Sequence, residues 1–144
     1  MLARINNLGI LSLIFLMLFG CGSSKGLPNG FSFRLEKGGC MDVCKSYIIE
    51  IKDTGYFTYR GYQNVTTTGN HSGKLSSSHQ DELANLISKP DWKTLEENYQ
   101  YRSTDQQQNI IKINDYTVVY YRVIPEEIEN LEHFINELVD TYEF

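Results

Sequence analysis

Histidine, tryptophan, proline and cysteine are scarce in this chain of 144 residues, which has three, one, three and three of them respectively. Each shortage excludes something. His71, His79 and His133 are spread along the chain, and no pair has the i, i+4 spacing of helix-borne metal ligands. There is no glycine-rich phosphate loop and no G-x-S-x-G elbow, so the local signatures of nucleotide binding and of serine esterases are missing. No basic cluster offsets a net charge of −5, which repels nucleic acid. The longest apolar run, Leu8 to Phe19, falls short of the roughly 20 residues that a membrane-spanning helix needs.

That apolar run is the first positive signal. Arg4 precedes it as the lone charge among the first 20 residues, and the small Gly20 follows it. A positive start, a short apolar core and a small residue describe a secretory signal peptide over residues 1–20. Leu18-Phe19-Gly20-Cys21 resembles the lipobox of bacterial lipoproteins, with Phe19 bulkier than usual. The resemblance implies cleavage before Cys21, then diacylation of its sulfur with palmitate-class chains and acylation of its new amino group. Several chains on one residue hold a protein stably in a membrane, each buried CH₂ contributing about 0.8 kcal/mol. Residues 21–30 are small and polar and read as a flexible tether. Cys21 has no Asp beside it. By the sorting rule of enteric bacteria, that implies the outer membrane, with the domain facing the periplasm. With Arg4 removed in the leader, 12 basic side chains face 18 acidic ones, a net charge of −6.

Residues 31–144 read as one domain. Phe31 to Glu36 alternates apolar and polar side chains, the pattern of a half-buried strand, and Lys37-Gly38-Gly39 ends it. Tyr47–Lys52 and Tyr56–Tyr62 predict a hairpin around Asp53-Thr54-Gly55. A polar fourth strand follows between Val65 and Leu75, broken near Gly69-Asn70. Leu83, Leu86 and Ile87 then recur at helical spacing, with capping hydroxyls before them and Pro90 behind. Asp91 to Leu95 reads as a short turn of helix, and Glu96 to Gln108 as a long irregular loop. Asn109–Ile113 and Tyr116–Ile124 form a second hairpin. Pro125 opens a helix with an apolar stripe from Ile128 to Val139. The expectation is an α+β fold: four strands, helix, two strands, helix. A single antiparallel sheet of about six strands carries both amphipathic helices on one face.

Gly39-Cys40-x-x-x-Cys44, then Tyr47, Asp53-x-Gly55 and Tyr59-x-Gly61, resemble a family of bacterial lipoprotein domains of unknown function. Its signature is G-x-C-x-G-x-C-P-x-Y followed by D-G and Y-x-G. The likeness runs on through Gly69, Gly73 to Ser76, Thr104-Asp105 and the last helix. Asp42 and Lys45 depart from it where the family carries Gly and Pro. The resemblance implies the fold unit and an envelope location, and no activity.

Cys40 and Cys44 remain once Cys21 is assigned to lipid. An exported pair meets an oxidising compartment, which favours a disulfide closing a short loop. A thiol-redox or copper-binding pair with Met41 is the alternative, although the spacing is not C-x-x-C. Thr104 and Asp105 in the long loop, and Tyr56, Tyr59 and Tyr62 along one strand, are candidate contacts for a peptide or glycan. No catalytic set, metal site or cofactor is indicated. The expected role is a membrane-anchored, non-enzymatic binding or structural module with an envelope protein or glycan as partner.

Overall fold

Period-two patterning builds most of the molecule. In a computed structural model, which describes residues 26–95, 98–99, 106–121 and 124–142, strands β1 (Ser32–Lys37), β2 (Ser46–Lys52), β3 (Tyr56–Gln63) and β4 (Gly69–Lys74) come first. Helix α1 (Ser77–Ser88), a 3₁₀ turn (Trp92–Thr94), β5 (Asn98–Tyr99), β6 (Asn109–Ile113), β7 (Tyr116–Tyr120) and helix α2 (Glu126–Thr141) follow. The sheet order is β4-β3-β2-β1-β6-β7-β5. Its first six members pair antiparallel throughout, so the fold is α+β, built on one sheet with two helices.

Two details differ from expectation. Part of the segment read as an irregular loop, Asn98–Tyr99, forms β5 and pairs parallel with β7. Two residues are too few to leave a period in the sequence. The second concerns Gly26–Gly30, read as tether. Leu27 is buried in the core. Gly26 N–H donates to Asp81 Oδ1 at 3.0 Å and Gly30 N–H to Asp53 Oδ2 at 2.9 Å. Phe31 N–H closes a turn onto Pro28 O. Composition suggested a free chain, but tertiary partners on α1 and on the β2–β3 turn hold it.

Alternation sorts the strands into two faces. Phe33, Leu35, Ile49, Ile51, Phe57, Ile111, Ile113 and Val118 are buried on the inner face. They share one core with Leu83 and Ile87 of α1 and with the α2 stripe of Ile128, Leu131, Phe134, Ile135, Leu138 and Val139. The outer face stays open. Arg34 lies there between Glu36 and Glu50 and binds both carboxylates. Those hydrogen bonds raise its pKa, Glu36 first, while burial opposes the rise.

The helices begin for local reasons. Ser76 caps α1 by accepting from His79 N–H at 3.2 Å. Gln80 donates from its side chain to Leu75 O instead of completing a capping box. Pro125 precedes α2, whose first turn carries Glu126, Glu127 and Glu129 against the helix dipole.

The sheet therefore has two unlike ends. At the entry end lie residues 26–31, the β2–β3 turn, the start of α1 and the β6–β7 turn. At the loop end lie residues 38–45 and the start of α2.

Candidate functional site

The loop end is built around a disulfide. Cys40 and Cys44 are joined, with Cα atoms 5.9 Å apart. The crosslink spans four residues and leaves Met41 and Val43 at the tip, 89% and 79% exposed. Apolar side chains so exposed contribute nothing to the core.

The base of this loop is clamped from several sides. The Gln107 amide donates both to Gly38 O and to Lys45 O, each at 2.6 Å, and so ties the loop's two ends together. Gly38 N–H donates to Gln108 O at 2.8 Å. Asn64, held at φ 54°, donates from its side chain to Cys44 O at 3.0 Å. Lys45 Nζ reaches Asp140 of α2 at 2.7 Å. Lys45, at the position where the resemblance expects proline, thus gives the loop an ionic tether to the helix.

Behind the loop runs a polar row. In register across the inner face stand Tyr47 of β2, Lys37 of β1, Asn109 of β6 and Tyr120 of β7. Lys37 and Asn109 are buried, with Asn109 only 4% exposed. The helix α2 matches this row at i, i+4, i+8 spacing, through Glu132, Asn136 and Asp140. Glu132 forms an ion pair with Lys37 through Oε1 and accepts from Tyr120 OH through Oε2 at 2.6 Å. Asn136 Oδ1 accepts from Tyr47 OH at 2.8 Å. Among the described residues Asn109 Oδ1 has no partner. Burial, and then the charge of Glu132, push the Tyr47 and Tyr120 hydroxyls well above the usual phenol pKa. They stay protonated and serve as donors.

The structure separates the tyrosines grouped from sequence. Tyr59 faces inward and is 2% exposed, its OH donating to Thr67 O at 3.0 Å. Tyr56 and Tyr62 are exposed on the outer face at opposite ends of β3, about 20 Å apart at strand rise. Residues three apart in a strand point to opposite faces, so the three form no common binding strip. Between Arg34, Glu50, Arg60, Tyr62 and Asn70 the outer face holds a shallow concavity of ≈ 580 Å³. Arg60 stacks over the Tyr62 ring at 5.2 Å. Thr104, Asp105 and Cys21 lie outside the described residues.

The glycines in the signature have physical roles. Gly55 turns the hairpin at φ 75°. A Cβ on Gly61 would stand 2.2 Å from Thr67 O and 2.7 Å from Tyr59 OH. Tyr59-x-Gly61 is therefore a pairing in which the tyrosine hydroxyl takes the space that glycine leaves.

Sequence reasoning missed the polar row. It placed Lys37 at the end of the first strand, yet Lys37 continues the inward series of Phe33 and Leu35, and an inward lysine is itself a signal of a buried partner. The i, i+4, i+8 spacing of Glu132, Asn136 and Asp140 was equally readable. Gln107, inside a polar run, offered no signal.

The three histidines have different neighbours. His71 bonds Thr68 O, His79 packs near Phe134 and Tyr142, and His133 is near Glu137. Among the described residues no group of three or more His, Cys, Asp or Glu is placed to hold a metal ion, and no helix is long and apolar enough to cross a membrane.

Residues 31–139 match a family described as a domain of unknown function, DUF6438. No curated protein matches the chain.

Proposed function

The chain belongs to the DUF6438 family, and we propose that this member is an envelope lipoprotein, anchored in the outer membrane through acyl chains on Cys21, facing the periplasm. It acts as a binding module rather than an enzyme, and its binding element is the stapled loop. The carrying observation is the contrast within that loop: an exposed apolar tip, Met41 and Val43, on a base held by a disulfide, the Gln107 clamp and the Lys45–Asp140 pair. A rigid tip loses little conformational entropy when it docks, so its apolar surface converts more directly into affinity. Asp42 between the two apolar side chains suits an apolar socket with a basic rim, on an envelope protein.

A photo-crosslinking residue at position 41 of the full chain, in intact cells, should give one discrete adduct that Val43→Asp abolishes. The same residue at Val119 on the outer face should give none. Equal adducts from both positions would sink the docking role. Two reactive thiols in the folded chain, or copper bound through them, would replace this reading with the thiol-redox alternative. Globomycin should cause the unprocessed precursor to accumulate, and unchanged processing would remove the anchor.

A further inference from the structure

The docked segment at residues 26–31 fixes how the domain can stand on its membrane. We infer that the entry end of the sheet, with Tyr56 and Tyr116 at its edge, rests on the lipid surface that holds the anchor, and that the Cys40–Cys44 tip points away from it. This rests on the proposed acylation of Cys21.

The first argument is length. Only five residue steps separate Cys21 from Gly26, and a fully extended chain of that length spans about 17 Å. Gly26 is not a loose end. Asp81 of α1 accepts its N–H, Leu27 is in the core, Asp53 accepts Gly30 N–H, and Asn114 Oδ1 accepts Ser32 N–H at 2.9 Å. The leash therefore leaves the folded domain at the entry end. From there β1 runs six residues, about 20 Å, before the stapled loop begins. Standing on its tip, the domain would hold Gly26 farther from the bilayer than the leash can reach.

The second argument is what the entry end exposes. Tyr56 opens β3 and is 57% exposed, and Tyr116 opens β7 and is 38% exposed. Tyrosine suits the headgroup layer, where its ring meets apolar matter and its hydroxyl stays wet. Lys74 pairs in register with Tyr56, and Lys52 ends β2 beside the β2–β3 turn; both are exposed. Two acids of this end, Asp53 and Asp81, are turned toward the N–H groups of the docked segment. Asp115 remains exposed in the β6–β7 turn. The partner is thus a phospholipid headgroup layer, met by aromatic rings with lysines beside them.

The test uses the full, processed and acylated protein in vesicles of phosphatidylethanolamine and phosphatidylglycerol, with bromine on the acyl chains near the headgroup. Tyr56→Trp, Tyr116→Trp and Met41→Trp are compared with the parent, whose emission comes from Trp92. Emission added at positions 56 and 116 should be quenched, and emission added at 41 should match that in bromine-free vesicles. Quenching at 41, or none at 56 and 116, would overturn the orientation while leaving the anchor intact. Failure of the parent to float with the vesicles would instead overturn the anchor, and the orientation with it. In a second measurement, a Gly/Ser insertion between Ser24 and Lys25 long enough to span the domain, combined with Tyr56→Ser and Tyr116→Ser, should allow quenching at 41 to appear. If the orientation were set by something other than the leash and the tyrosines, the insertion would change nothing.

Discussion

The two ends of the sheet are built on opposite principles. At the entry end the inner row in register is Phe57, Ile51, Phe33 and Ile113, entirely apolar. At the loop end the row is Tyr47, Lys37, Asn109 and Tyr120, every member carrying a polar group. Apolar burial is strong but non-directional, and tolerates small shifts. A buried polar row is directional: each group needs a partner at one place, or it costs more than it contributes. The loop end trades stability for a defined geometry, and it is there that the chain displays Met41 and Val43. Directional pairing thus lies beneath the exposed Met41 and Val43, and simple apolar burial at the opposite end.

Alkali should separate the two ends most strongly. Burial first, and then the charge of Asp140, push Tyr59 up to about 12, and Tyr47 and Tyr120 are raised as well. A raised folded value means that the fold keeps the proton. The associated stability is whole below pH 10, the ordinary phenol value, and is lost as pH rises from 10 through the folded values. Phenolate absorbance from these three residues should therefore appear together with unfolding. Hydrogen exchange should show the β1 and β2 residues near Lys37 and Tyr47 opening before those near Phe33 and Ile51. Simple titration with the fold intact would contradict the assigned burial.

Next in size is Glu132→Leu, which strands Lys37 and the Tyr120 hydroxyl. Removing one partner of a buried pair costs about 3–5 kcal/mol, and the double variant with Lys37→Met should recover most of it. Denaturant melts of the two variants measure both. Equal losses would mean that the row is held by something else. At the other end Ile51→Ala should cost about 2–5 kcal/mol, with no partner substitution able to rescue it by charge removal. That lack of rescue distinguishes the two ends more sharply than the sizes do.

Opening the disulfide by paired Cys40→Ser and Cys44→Ser substitutions removes about 2 kcal/mol by loop-closure entropy. Gln107→Ala is the smallest change, about 1 kcal/mol, because each carbonyl it releases at the loop base can find water. Its sign lies elsewhere: exchange protection of Lys45 and Ser46 should fall, while that of Ile49 and Ile51 is unchanged.

Much of this fold is legible in the residues. Alternation in Phe33 to Glu36 and Tyr47 to Lys52 locates strands because side-chain direction in a strand has period two. Pro90 and Pro125 bound helices because proline restricts its neighbours and lacks an N–H. Beyond these local rules the reading weakened for identifiable reasons. Gly26–Gly30 are small and polar, and only the placement of Asp53 and Asp81 docks them. Tyr56, Tyr59 and Tyr62 share a composition, but strand parity divides them. Gln107 became a clamp because the fold brings residue 107 beside residues 38 and 45.

The sequence by itself determined the elements and their faces, since those depend on neighbours a few residues away. It also supplied two cysteines at a spacing that a disulfide can bridge. Only the tertiary structure decided what lies beneath that bridge. Lys37, Asn109, Tyr120 and Glu132 come from four separate elements. Their pairing follows from strand register and from the path of α2 over the sheet, which no local pattern encodes. The same long-range placement docked residues 26–31 against α1 and the β2–β3 turn, which their composition does not encode.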